Sequence, residues 1–326
     1  MAAGEGRSYL LKACLFATGC AGIVAEFTLS TLASYLQGNA TLQWTLVMSL
    51  MLFAMGLGSR LSRHLEDRLL DRFIGIEFLL SGLCATCAAA AYFGTAFVDG
   101  ASAVLYGYAM LIGLLIGMEI PMVARMNEAY EVLKTNIASV MEKDYYGALV
   151  GGLLFAFFLL PKLGLTYTPI ALGAVNFVVA SVLLWRYRAL LDRKVKLMGA
   201  FWGMAIGLVA LGVFIRPIIQ FGEQSRYRDR VIYAQQTSYQ RIVMTEWKGY
   251  HWLYLNGNVQ FSTYDEERYH ESLVHPAMQL SGSRERVLIL GGGDGLAARE
   301  VLKYEDVKSA VLVDLAETAG LSRSQF

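Results

Sequence analysis

The sequence predicts a multi-pass α-helical membrane domain followed by a partial α/β domain. Three observations carry that prediction. Of 326 residues, 56% are hydrophobic, and apolar stretches of membrane-spanning length recur up to about residue 215. From Arg216 onward the composition turns polar, with FGEQSRYRDR at 221–230, and short alternating runs replace the long apolar ones. Finally, VLILGGGDGLAARE, beginning at Val287, reads as a strand entering a glycine loop and then a helix.

The apolar segments run over 13–36, 42–59, 73–98, 101–124, 145–160, 166–185 and 197–215, which makes seven candidate helices. A helix needs roughly 20 residues to cross about 30 Å of hydrocarbon, and 145–160 is short, a tilted partner to the next segment or a partial span. The first segment follows Arg7 and Lys12 as a signal peptide would. Its apolar run is long and others follow, so it reads as a first span. Basic residues fall on alternate loops: Arg60, Arg63, Arg68 and Arg72; Arg125, Lys134 and Lys143; Arg186, Arg188, Arg193, Lys194 and Lys196, against only Lys162 on the loops between. The positive-inside rule therefore puts these loops and the N-terminus in the cytoplasm of a multi-pass cell-membrane protein. Seven full crossings leave everything after Ile215 outside the cell.

Gly113 and Gly117, Gly147 and Gly151, and Gly203 and Gly207 have the spacing that lets helix backbones approach closely. Glu26, Glu77 and Glu119 lie within apolar segments, where a carboxylate is costly and points to either a buried structural role or a polar pathway. All four cysteines, Cys14, Cys20, Cys84 and Cys87, also lie there, as small buried hydrophobes without further metal ligands. The net charge of +1 excludes a nucleic-acid partner, which needs a concentrated basic surface.

Beyond the spans, strands are expected over 231–236, 241–245 and 252–255, with Asn256-Gly257 turning into a further strand at 258–260 because both residues tolerate positive φ. A helix over 266–280 precedes a βαβ unit: strand 287–290, glycine loop, helix 296–304 and strand 310–314. Gly291, Gly292 and Gly293 let a nucleoside approach the backbone. Asp314 ends the next strand twenty positions after Asp294, where an acidic side chain can accept hydrogen bonds from ribose hydroxyls. Asp294 itself stands where a pyrophosphate would be repelled, so a nucleoside without phosphates or a cationic ligand fits better than NAD. Residues 1–215 thus form the helical domain, 216–285 a linker with a β-hairpin and helix subdomain, and 286–326 an incomplete Rossmann-like nucleoside-binding unit.

TSYQRI, LYLNGNVQFS, YDEERYHESLVHP and VLILGGGDGLAAREVL occur in this order, and together they resemble the spermidine synthases, the polyamine aminopropyltransferase family. The upstream helices resemble its membrane-fused members. The resemblance implies a β-hairpin subdomain before a Rossmann-like sheet of the methyltransferase type. It also implies transfer of an aminopropyl group from decarboxylated S-adenosylmethionine, a co-substrate rather than a cofactor, to putrescine, giving spermidine and methylthioadenosine. On this resemblance His270 and Asp294 face the polyamine. Gln240, the loop glycines and Asp314 face the nucleoside, and Gln260 and Tyr269 are further pocket candidates. No metal is implied, the lipid bilayer is a partner, and a homo-oligomer is open.

Two departures stand out. The family's second acid after the ribose-binding one is here Ala316, and its catalytic aspartate belongs to a later strand end that this sequence does not reach. The expectation is therefore a synthase domain truncated before its general base, without turnover, since a protonated amine is a masked nucleophile. The competing expectation is a membrane transport or sensing protein whose glutamates do the work and whose partial domain binds a ligand. A simple methyltransferase ranks third, because methyl transfer does not call for the amine-side segment YDEERYHE.

Overall fold

The computed structural model describes residues 2–97, 101–128, 133–237 and 240–314, so the expectation placed on Ala316 falls outside the described residues. The chain divides into two compact units, Met1–Arg226 and Tyr227–Phe326.

The first unit is helical: α1 (Ala2–Gln37), α2 (Ala40–Ser62), α3 (Leu69–Phe97), α4 (Ala101–Asn127), α5 (Leu133–Leu154), a π-helical stretch (Phe155–Leu163), α6 (Gly164–Arg186) and α7 (Lys194–Gln224). Among the described residues, six runs are long and apolar enough to cross a membrane. The fifth, Thr135–Arg186, is 52 residues long and folds back on itself. Its turn is visible at Gly164, φ 60°, and in the Thr168 hydroxyl, which donates to the Leu159 carbonyl at 3.2 Å. Nine residues of straight helix would hold those groups about 13 Å apart. The expected segment 145–160 is thus the far end of a longer helix plus its wide turn. Likewise α7 continues past 215 through Pro217, because its last turn is anchored: Tyr35 donates its hydroxyl to Glu223 at 2.8 Å and Arg226 stacks over the Tyr35 ring at 4.7 Å.

The helices alternate in direction. One apolar cluster joins the N-terminal halves of α1, α3 and α7 (Leu15, Phe73, Leu197) to the C-terminal halves of α4 and α6 (Met122, Leu183). A second cluster joins the opposite halves (Leu32, Ala88, Ile219 with Leu105 and Leu165). The glycine contacts agree. A Cβ on Gly113 would come within 2.7 Å of the Met51 carbonyl, and one on Gly117 would meet Met55, so α4 runs alongside α2 in the same direction. Gly147 and Gly151 lie in the same way against Phe16 and Cys20 of α1. Gly203 and Gly207 differ, since a Cβ there would meet nothing within 4 Å. At the end marked by the first cluster the basic loops meet. Arg68 pairs with Asp192 at 3.0 Å, Asp71 accepts from the Arg193 N–H at 2.8 Å, and Arg125 donates to the Ser62 carbonyl at 2.7 Å.

The second unit opens with an antiparallel meander, β1 (Arg230–Gln236), β2 (Arg241–Trp247), β3 (Tyr250–Leu255) and β4 (Asn258–Ser262), in sequential order. Asn256 and Gly257, at φ 50° and 80°, make the expected tight turn. Then come α8 (Glu266–Leu280), β5 (Arg286–Leu290), α9 (Leu296–Val301) and β6 (Ser309–Val313), with β5 and β6 parallel in the register Arg286↔Ser309 to Leu290↔Val313. The helix expected over 296–304 ends three residues early, where Lys303 and Tyr304 close tighter turns onto the Glu300 and Val301 carbonyls. Among the described residues this two-strand sheet leaves apolar side chains open: Leu290 is 77% exposed.

Candidate functional site

Three glycines of the β5–α9 loop, Gly291, Gly292 and Gly295, have φ between 70° and 82°, a conformation that side chains disfavour. The loop is fixed from the neighbouring strand. Gly291 donates its N–H to the Val313 carbonyl at 2.8 Å, and Gly293 donates to Oδ2 of Asp314 at 2.8 Å. The carboxylate that follows β6 therefore reaches across to the middle of the glycine loop. Asp294 turns Oδ1 back onto the Leu296 N–H at 2.8 Å, holding the loop as it enters α9. Asp294 and Asp314 are both half-buried, so the lip of the loop is acidic and open to a ligand. Such a lip favours a cationic or uncharged partner over a phosphate.

His270 is buried at 3% exposure. Its Nδ1 lies 2.8 Å from Glu266 Oε2 and 3.0 Å from the Glu266 carbonyl, and the Phe261 and Tyr269 rings meet it edge-on at 5.7 and 5.0 Å. The imidazole is thus packed between α8 and β4, its Nδ1 face occupied. Arg299 of α9 grips the same glutamate in a fork, 2.7 Å to Oε1 and 3.0 Å to Oε2. Burial pushes the Glu266 carboxyl up, but the hydrogen bonds and charges of Arg299 and His270 outweigh it and leave the group below its ordinary range. Arg299 is pushed above its usual value, chiefly by the hydrogen bond to Glu266. Buried Glu300 is held below its range in the same way: burial raises it, while Lys303 and Arg299 pull it down further. The network locks α8 against α9, and so fixes the exit of the glycine loop.

This Glu266–Arg299 pin was missed from sequence. Glu266 and His270 share a helix face at i and i+4, which was readable, but Arg299 lies 33 residues away with no local signal. Of the other sequence candidates, Gln240 and Gln260 belong to the meander and Tyr269 to α8. Gln240 closes the β1–β2 turn, donating its N–H to the Thr237 hydroxyl at 3.0 Å. Gln260 and Tyr269 are exposed, with Gln260 Nε2 on the Asn258 carbonyl at 3.3 Å. Leu296, the first residue of α9, packs on the meander core of Ile242, Met244, Leu253 and Phe261, which ties the two halves of this unit together beside the loop.

A family profile described as the spermine/spermidine synthase domain matches residues 266–319. Polyamine aminopropyltransferase 2 of Aquifex aeolicus is 46% identical over 300 residues, covering 91% of this chain and 60% of the relative. Polyamine aminopropyltransferase 2 of Ralstonia nicotianae is 42% identical, covering 95% and 62%, and the Leptospira interrogans polyamine aminopropyltransferase is 40% identical, covering 90% and 59%. The chain spans about three fifths of the length of these curated relatives. Over 27% of the chain it is 42% identical to the crystal structure of spermidine synthase from Thermotoga maritima, covering 31% of that chain with a TM-score of 0.26.

Proposed function

Because this chain belongs to the polyamine aminopropyltransferase family by similarity along nearly its whole length, we propose that its second unit binds the adenosyl part of decarboxylated S-adenosylmethionine for aminopropyl transfer to putrescine. The observation that carries the reading is the Asp314 carboxylate set against the Gly293 N–H. A carboxylate at this strand end, turned toward the glycine loop, is an acceptor of the kind that ribose hydroxyls need. In the transfer, an amine nitrogen forms a bond to the propyl carbon, the carbon–sulfur bond breaks, and the sulfonium leaves as neutral methylthioadenosine. The amine gives up one proton. Asp294, at the open edge of the loop, holds an ammonium of the amine. His270 acts from behind, as a positioning residue that fixes α8 through Glu266.

The helical unit, in this reading, spans the cell membrane with seven crossings. Support comes from the alternating helix directions and from the basic loops gathered at one end, which face the cytoplasm by the positive-inside rule. The chain then leaves α7 at the opposite end, on the outer side.

The functional reading is tested by calorimetry on the full chain in detergent with methylthioadenosine and with NAD. The nucleoside is expected to bind and NAD to bind at least tenfold more weakly, because its pyrophosphate meets the Asp294 carboxylate. Equal or tighter binding of NAD overturns the reading.

A further inference from the structure

Two cavities follow each other between α3 and α7. The helices run in the same direction there: a Cβ on Gly82 would lie 3.0 Å from Met204 Cε, and one on Gly222 would lie 2.6 Å from the Tyr92 carbonyl. The first cavity, about 760 Å³, lies at their N-terminal ends, between Arg72 and Gly75 of α3 and Lys196 and Leu197 of α7. Its acids are mostly engaged. Asp192 pairs with Arg68 at 3.0 Å, and Asp71 accepts from the Arg193 N–H at 2.8 Å. Among the described residues, the side chains of Arg72, Arg193 and Lys196, all lining this cavity, pair with no carboxylate, and Nη1 of Arg72 is buried without a hydrogen bond. Three cations are thus left with the single remaining carboxylate of Asp67.

The second cavity, about 510 Å³, is an apolar groove that starts at Gly82 and Gly203 and runs on past Gly207 to Ile218. Its one hydroxyl, on Thr86, turns back onto the Gly82 carbonyl at 2.7 Å. Both cavities lie on the same helix faces. Arg68, Gly75 and Gly82 follow at seven-residue intervals on α3, as do Lys196, Gly203 and Ala210 on α7, and two helical turns return a side chain to nearly the same face. A Cβ on Gly75 would meet nothing within 4 Å, and Leu79, one turn on, is 53% exposed, so the seam stays open from the first cavity toward the groove, about 10 Å further along α3.

A buried guanidinium donor without an acceptor is costly, and an anion in the first cavity relieves that cost. A free phosphate would use the first cavity alone, and a second copy of α7 the groove alone. An amphiphile with an anionic head and a hydrocarbon tail uses both. We propose that this seam binds an anionic phospholipid, with its phosphate against Arg72, Arg193 and Lys196 and an acyl chain along Gly82, Gly203 and Gly207. The proposal rests on the reading of the helical unit as membrane-spanning with its basic end in the cytoplasm, the side whose anionic lipids attract basic pockets between helices. It also gives a use to the one glycine pair that packs against no neighbouring helix.

The test starts with the full chain reconstituted into phosphatidylcholine vesicles containing phosphatidylglycerol and washed at alkaline pH. A chain that washes off overturns the membrane reading and the lipid site with it. A chain that stays is extracted in detergent, and native mass spectrometry follows its binding of phosphatidylglycerol, phosphatidylcholine and glycerol phosphate. Phosphatidylglycerol is expected to bind at least about tenfold more tightly than phosphatidylcholine, whose quaternary ammonium meets the three cations, and glycerol phosphate should be weaker still. Arg72→Gln combined with Lys196→Gln should lower the phosphatidylglycerol affinity by about tenfold or more, whereas Lys194→Gln, outside the cavity, should keep it. Gly203→Leu, whose side chain enters open space in the groove, should weaken both lipids and leave glycerol phosphate unchanged. In a chain that stays in the membrane, equal binding of the two lipids, or phosphatidylglycerol affinity unchanged by these cavity and groove variants, overturns the proposal alone. Glycerol phosphate binding as tightly as phosphatidylglycerol also overturns it, and marks a site for free phosphate.

Discussion

Replacing Arg299 by Met removes the fork that holds Glu266 and keeps the bulk of the aliphatic stem. Three charge-assisted hydrogen bonds are lost, at 2.7 and 3.0 Å to Glu266 and at 2.8 Å to Glu300, and of these partners the Glu266 side chain, 9% exposed, keeps His270. Hydrogen bonds to charged groups contribute about 1.5 to 3 kcal/mol each, and stranding one member of a fully buried pair costs about 3 to 5 kcal/mol. The Arg299 side chain is 43% exposed, however, so water screens the pair and partly replaces the lost donors. We therefore expect a local destabilisation of about 2 kcal/mol in the contact between α8 and α9. Hydrogen exchange in the full chain reads this directly. Amides of α9 and the last two turns of α8 should exchange roughly thirtyfold faster, while β2 and β3 keep native rates. Adding Glu266→Gln to Arg299→Met should cost little more, because the neutral side chain no longer needs the cation. Exchange within threefold of native in Arg299→Met would refute the pin, and an additive double variant would show that the two residues act separately.

The same pin predicts a direction with pH. The folded Glu266 and Glu300 carboxyls lie below their ordinary range, so the stability they contribute is complete above the unfolded value near pH 4.3 and is lost as pH falls through the folded values. Exchange of α8 and α9 should accelerate selectively below about pH 4, after correction for intrinsic rates, and a flat profile there contradicts the assignment. In the helical unit, Gly113→Val forces a Cβ to within 2.7 Å of the Met51 carbonyl and should destabilise by at least about 1 to 3 kcal/mol, whereas Gly207→Ala meets nothing within 4 Å and should leave Tm unchanged. Equal Tm shifts would contradict the packing of α4 on α2. Reporter fusions after Arg193 and after Gln236 should give cytoplasmic and extracytoplasmic signals respectively. Cytoplasmic signal at both would overturn the seven-crossing proposal.

Much of this architecture was legible because it is written in local periodicity. The 266–280 helix matches α8 at both ends, and Asn256-Gly257 fixes the β3–β4 hairpin through backbone conformation alone. The loop and Asp314 were also readable, since a βαβ unit sets the spacing between a glycine turn and the next strand end. What sequence hid depends on partners far along the chain. The extension of α7 to Gln224 rests on Tyr35, 188 residues before Glu223, and the fold-back at Gly164 on a π-helical turn that an apolar count reads as part of a span. Two of the three glycine pairs are helix contacts as expected, and nothing in their spacing distinguishes them from Gly203 and Gly207. His270 matched a motif, yet its burial behind Glu266 and Phe261 emerges only once Arg299 is brought across from α9.

The central claim, that the strand-end carboxylate and the glycine loop form a nucleoside site, is tested most directly by titrating methylthioadenosine into the full chain and into Asp314→Ala by calorimetry. Loss of the ribose hydrogen bonds, together with the Gly293 anchor, should weaken binding by about 1 to 3 kcal/mol, roughly five- to 150-fold, while the hydrogen exchange of β2 and β3 stays native. Equal affinity in the two proteins would contradict the claim and move the nucleoside away from Asp314.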